Sequence, residues 1–282
     1  MKEITPDVFI ETTFEGTTVG AIRTPEGVVM VDVPLVNKDI QSWQAACART
    51  SSGSKRIVVL LDEHPDRTAG AKLIRCPIIT HSKTAKILTS QPSATKMQGL
   101  ETGAIWETIP EICTIEWPHP EITFSNSIAI NWSEQPILVE HHPGPTSGSS
   151  WVIVPDQKIV FVGDAVTPDQ PPFLSSAEIE PWIEALDILK SSHYKDYLII
   201  SGRAELVTMD DIRQSQKFLR KTHRTFDKLN NQTANLIKIQ KSSASFIDDF
   251  KPKNRSEREL YLTRLSYGFT KYYINNFSKK KL

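Results

Sequence analysis

Short runs of β-branched and apolar residues follow one another from the start of the chain, at 8–13, 17–24, 28–33 and 56–61. Gly16, Gly27 and the cluster Ser51-Ser52-Gly53-Ser54 separate them, which is the spacing of strands joined by hairpins and short connections. Before the fourth run, Ile40, Trp43 and Cys47 recur at helical spacing and predict a helix over 37–49 with Asn37 as its cap. A short helix after Gly70 and an apolar strand over 77–80 follow. Residues 88–119 lose this periodicity and are rich in proline, threonine and serine, the pattern of an insertion of short helices and loops. Strand signals resume at 127–132, 137–141, 150–154 and 159–162, where Pro155-Asp156-Gln157 turns the last two into a hairpin.

Beyond residue 175 the period changes to that of helices. Ile179, Trp182, Leu186 and Leu189 form one apolar stripe, and 197–200 gives one more strand. Thr208 and Asp211 resemble a capping box that opens a helix with Ile212, Leu219 and Phe226 on its inner face. Residues 241–255 are polar and predict a linker. The last helix carries Leu262, Leu265, Phe269 and Tyr272 on one side and ends in Lys279-Lys280-Lys281, where positive charge complements the helix dipole. That stripe is expected to pack on the domain or on a sister subunit, so a homodimer is one expectation.

Composition narrows the class. With 282 residues, 39% hydrophobic and 23% charged, the chain is long enough for a large core and too apolar for disorder. Lys+Arg and Asp+Glu are equal at 33 each, so no bulk field draws it to nucleic acid or anionic lipid. No apolar run approaches a membrane span, and the N-terminal residues lack the apolar core of a signal peptide. Cys47, Cys76 and Cys113 are too scattered for a disulfide framework or a zinc knuckle. These features predict buried small hydrophobes in a cytoplasmic protein without a membrane or nucleic-acid partner.

The chemistry concentrates at Asp62-Glu63-His64-Pro65-Asp66-Arg67, directly after the apolar strand 56–61. Four ionisable side chains, Asp62, His64, Asp66 and Arg67, would sit on a tight loop at a strand's end, where sheet-based sites are built. Here the sequence resembles the metallo-β-lactamase-fold superfamily, whose loop reads H-x-H-x-D-H. The segment 143–149, Pro-Gly-Pro-Thr-Ser-Gly-Ser, has the frame of that family's P-G-H-T-x-G-S loop. Gly163-Asp164 matches the G-D bearing the bridging aspartate, and Ser201-Gly202-Arg203 falls where the family has G-H. Val31-Asp32 matches the early strand that ends in aspartate.

The resemblance implies an α/β, α+β-type four-layer αββα sandwich over residues 1–235, with the insertion at 88–119. Residues 236–282 would then form a linker and a C-terminal helix. Carried over position by position, the first metal's ligands become Asp62, His64 and Pro145, and the second's Asp66, Arg67 and Arg203, with Asp164 between them. Proline offers no donor atom and arginine cannot deprotonate, so neither can ligate. The expectation is therefore no metal cofactor, with Arg67 and Arg203 neutralising the carboxylates and Asp66 and Asp164 as vestigial catalytic positions. The alternative is one divalent ion, Zn²⁺, Mn²⁺ or Fe²⁺, on Asp62, His64 and Asp164. Arg67, Arg203 and His142 are the expected ligand contacts.

Two functions follow. One is a pseudoenzyme that binds an unknown small molecule or protein through the old cleft. The other is a hydrolase of an ester, thioester, lactone or phosphodiester, using one weakly held metal or a metal-free His/Asp/Arg site. Ser147 and Ser149 lie near His142, but no G-x-S-x-G elbow supports a serine triad.

Overall fold

A computed structural model describes residues 1–90, 102–110, 116–231 and 236–277. Much of the 88–119 insertion, Cys113 and the terminal lysines 279–281 lie outside the described residues. Two sheets form the centre. The first runs β1 (Lys2–Thr5), β2 (Val8–Glu11), β3 (Val19–Thr24), β4 (Gly27–Val31), β5 (Lys55–Leu60), β6 (Ile78–His81), β7 (Ile122–Phe124) in chain order. It is antiparallel through β4 and parallel from β4 onward. The second sheet has the reverse order, from β13 (Leu206–Val207) through β12 (Leu198–Ile200), β11 (Ile159–Phe161), β10 (Ser150–Val154) and β9 (Ile137–His141) to β8 (Ser127–Ile130).

Alternation along the strands produces the layers. Val29, Val31, Ile57, Val59 and Leu61 point between the sheets, where they meet Val152, Val154, Ile159 and Phe161 of the second sheet. Their neighbours Val28, Met30, Val58 and Leu60 face outward and pack with Ile40, Trp43 and Cys47 of α1 (Asn37–Thr50). Trp151, Ile153 and Val160 line the second sheet's outer face. They join the helices α4 (Ile179–Leu189), α5 (Met209–Asn231), α6 (Leu236–Ala244) and α7 (Arg255–Phe277) in one core. The order helix, sheet, sheet, helix is the four-layer sandwich expected. Gly20 in β3 is required by the close approach of the sheets, because a Cβ there would lie 2.4 Å from the Phe161 ring.

Several expectations need correction. Val36, not Asn37, occupies the cap position of α1, and no side chain caps it. The short helix expected after Gly70 begins earlier, as α2 (Pro65–Thr68) and a 3-10 turn at Ala69–Leu73. Proline at the first position of α2 starts a helix inside the charged loop itself. A further helix, α3 (Ser82–Ser90), follows β6, and part of the expected linker is helical in α6 and a 3-10 turn at Ile247–Asp249. The Thr208–Asp211 pair does close the start of α5, with each backbone N–H donating to the other's side chain. The α7 stripe packs inside the chain, where Leu265 and Phe269 are fully buried in one core with α5 and α6 residues.

Cys47 and Cys76 are free thiols whose burial pushes them up to about 12 and about 11 respectively, which leaves them inert at neutral pH. No helix among the described residues is long and apolar enough to cross a membrane.

Candidate functional site

Strand ends bring the charged residues together. Asp62 lies just past β5, His64 to Arg67 enter α2, Asp164 sits in a 3-10 turn after β11, and Arg203 follows β12. Backbone bonds lock these loops to one another: Gly202 N–H donates to Gly163 O and Thr18 N–H to Gly202 O, both at 2.8 Å. Asp32, after β4, adopts a left-handed backbone at φ 59° and accepts from the Leu61 N–H at 2.9 Å.

The Arg67 guanidinium is the hub. It is wholly buried, donates to Asp164 Oδ1, and lies 3.6 Å from Asp32, 3.7 Å from Asp62 and 3.9 Å from Asp66. Arg203 is its counterpart on the other side. Its Nη1 donates to Asp66 Oδ2 and to Gly16 O at 2.7 Å, while Nε and Nη2 reach Asp164 Oδ2 at 3.0 and 2.9 Å. His64 completes the group, with Nδ1 3.0 Å from Asp62 Oδ2 and 3.3 Å from Asp164 Oδ2.

The fields follow from this geometry. Burial opposes charge on Asp164, yet Arg203 and Arg67 outweigh it and hold the carboxyl below its ordinary range. Asp62 is likewise held down against burial, by His64 and Arg67. Burial also opposes charge on His64, but Asp62 and Asp164 beside it raise its pKa above that of free imidazole. Asp32 differs: burial outweighs Arg67's attraction and pushes it up to about 8. One Asp32 oxygen and two Arg67 nitrogens find no hydrogen-bond partner. Glu63, at about 7, is raised by burial and by Asp62.

An aromatic roof closes the cluster. Phe173 lies 5.2 Å and Trp106 6.0 Å from the His64 ring, and Arg203 stacks under Phe173 at 4.8 Å. Arg264 of α7 also lies against Phe173, 4.2 Å from its ring centre, and donates to Gly103 O, Pro171 O and Gln170 Oε1 at 2.9 to 3.0 Å. Asp62, Asp66, Arg67 and Asp164 are at most 2% exposed and His64 7%. The side chains of Arg67 and Arg203, expected as ligand contacts, are paired with Asp164 and Asp66 and are 0% and 3% exposed. His142 is elsewhere: its ring stacks on Trp151 at 3.7 Å, on the second sheet's outer face, and its Nε2 meets Glu140 at 3.2 Å. Its neighbour His141 stacks on His81 at 3.8 Å, so neither joins the cluster.

Donor atoms of Asp62, His64 and Asp164 lie within 4.8 Å of one another, and by type they could hold one divalent ion. Asp66, Arg67 and Arg203 do not form a second donor set, because a guanidinium has no lone pair to give. Trp106 and Phe173 carried no periodic or motif signal in the sequence. Arg264 carried one: it falls on the apolar side of α7, between Tyr261 and Gly268, where a lone charge implies a buried partner.

Residues 63–201 match the family model of the metallo-beta-lactamase superfamily. A metallo-beta-lactamase from Pontibacter korlensis superposes with TM-score 0.59 at 19% identity, covering 78% of this chain and 97% of that one. The DIM-1 metallo-beta-lactamase gives TM-score 0.62 at 15% identity, covering 78% and 96%. A metallo-beta-lactamase family protein from Thermus thermophilus gives 0.65 at 14% identity and covers 99% of this chain, C-terminal helices included, and 95% of its own. No curated protein sequence matches significantly. The family's model is thus matched over the segment from the charged loop to the end of β12, just under half of the chain, and the sandwich around that segment has the metallo-β-lactamase fold.

Proposed function

We propose that this chain is a metal-free, non-catalytic member of its superfamily, in which an arginine–aspartate cluster stands where a two-metal centre would be. Its role is then to bind a small molecule or a protein partner in the cytoplasm. The carrying observation is Arg67, buried within 4 Å of four aspartate side chains. A permanent cation at that point does the charge work of a metal and repels one.

The cluster also balances without an ion. With Asp32 protonated, the three carboxylates of Asp62, Asp66 and Asp164 face Arg67, Arg203 and a protonated His64, three charges against three. The His64 Nδ1 proton, set between two carboxylates, takes the place that an ion on Asp62, His64 and Asp164 would occupy. A hydrolase with one ion on that triad is the second reading, favoured by the spacing of its donors. The closed roof and the competing guanidiniums weigh against it. The same reading assigns residues 1–235 to the sandwich unit and 236–282 to its extension.

Elemental analysis of protein purified without chelators tests this. The expected result is far less than one transition metal per chain. One firmly held ion together with esterase, thioesterase or lactonase turnover would establish the second reading, and two tightly bound zinc ions would overturn both.

A further inference from the structure

Two short segments form the roof over the charged cluster, and both are fastened to α7. Residues 170–175 carry Phe173 and residues 103–106 carry Trp106, whose rings lie 4.8 Å apart. Arg264 ties the two segments together: its Nε donates to Gly103 O at 2.9 Å, and its Nη1 donates to Gln170 Oε1 at 2.9 Å and to Pro171 O at 3.0 Å. Close backbone approaches add to these bonds. Gly103 has φ 73°, and a Cβ there would lie 2.4 Å from the Arg264 backbone nitrogen and 2.6 Å from Leu260 O. Gly268 lets Leu174 seat on the helix, since a Cβ there would lie 3.1 Å from the Leu174 Cβ. Near the end of α7, Asn275 Nδ2 donates to Ser175 O at 3.1 Å. The attachment therefore runs along α7 from Leu260 to Asn275.

The central bolt is held at a cost. Arg264 is 2% exposed, and among the described residues no carboxylate lies within 4 Å of it. Burial, and Arg203 as a second guanidinium against the same Phe173 ring, push its pKa down to about 10. A buried cation answered only by neutral oxygens regains hydration when it withdraws, so closing the roof works against solvation. The cluster beneath is different, because Arg67 and Arg203 there are paired with carboxylates.

We propose that α7 is an autoinhibitory latch for the charged cluster. With Arg264 inserted, Phe173 and Trp106 shut the cleft, and withdrawal of Arg264 into water opens it to the bound molecule or partner. Arg264 is a positioning residue that acts through Phe173 and the backbone of both segments. The latch rests on the binding role proposed for the cluster and supplies its regulation.

Hydroxyl-radical labelling of the full chain, read residue by residue by mass spectrometry, tests it. His64, Trp106 and Phe173 are 6 to 7% exposed in the closed arrangement, while Trp43 and Trp182 are 1% exposed and lie outside the roof. In Arg264→Met the first three are expected to label at least about threefold faster, with Trp43 and Trp182 as in the parent. Asn275→Ala, at an exposed position, should give the same pattern at smaller size. If Arg264→Met does not fold, Asn275→Ala and Gly103→Ala decide. Unchanged labelling of the roof and His64, or labelling that rises equally at Trp43 and Trp182, would overturn the latch. Transition metal is measured on the same samples: an ion found together with the labelling response would overturn the metal-free reading and leave the latch, whereas ion-free protein without the response would overturn the latch alone.

Discussion

Arg67 shows how much one side chain can carry when it is buried among carboxylates. Replacing it with methionine removes the cation and strands those carboxylates in a dry site, and Arg67→Met should lower stability by about 3 to 5 kcal/mol in urea unfolding. Arg203→Met and Asp66→Asn make a cycle on one 2.5 Å contact: the double variant should lose less than the sum of the singles, and strict additivity would mean the two do not interact. Gly202 supplies a second cycle. A Cβ there would lie 2.2 Å from Arg67 Nη1, and that guanidinium is held from several sides, so Gly202→Ala should destabilise the parent markedly. In an Arg67→Ala background most of that loss should vanish. At this scale the sequence was legible wherever a motif frame fixed the position, as for Asp62, Arg67, Asp164 and Arg203. Trp106, Phe173 and Arg264 reach the cluster through contacts that join distant parts of the chain, as Arg264 does with Gly103, and only the misplaced charge in α7 hinted at one of them.

Among elements, long alternating runs were readable because one face of each strand is core between sheets and the other is core beneath helices. The strands that escaped are short or peripheral: β1 and β13 lie at sheet edges with four and two residues, and β7 has three. Helix α3 escaped because it buries only Thr84 and Leu88, too few positions to set a period. The link from α7 to the roof gives a prediction at this scale. Arg264→Met should free Gln170 and Pro171 and unseat Phe173, so amide hydrogen exchange should rise in residues 166–173. Exchange in β4 and β5 should stay as in the parent. Equal change in both regions would mean that α7 acts on the whole sandwich and not on the roof.

For the whole molecule, the buried charges set a pH profile. Asp62 and Asp164 have folded pKa values below their unfolded ones, so the stability they add is present above about pH 4. It is lost as pH falls through the folded values. His64 works in the opposite sense: raised in the fold, it contributes fully below about pH 6.5, and that contribution fades as pH rises through the folded value. Asp32, at about 8 when folded, binds a proton more tightly in the fold than out of it, so its effect on stability declines from about pH 4 to about 8. Thermal unfolding across pH should therefore show a maximum near about pH 4 and a decline from there to about pH 8. Asp32→Asn, whose amide oxygen can still accept from Leu61, should flatten that decline. A parent profile that rises steadily from pH 5 to 9 would contradict the charge assignment.

The arginine hub has a consequence for descent. A chain that would regain a two-ion centre must replace Arg67 and Arg203 with imidazoles, and each replacement alone leaves buried carboxylates uncompensated before any ion can bind. Against a typical folding stability of about 5 to 15 kcal/mol, the first step removes a large share of what keeps the chain folded. Small steps that selection could retain do not lead back. On the metal-free reading the arrangement works as a one-way door: with guanidiniums in the cluster, a two-ion centre is hard to regain.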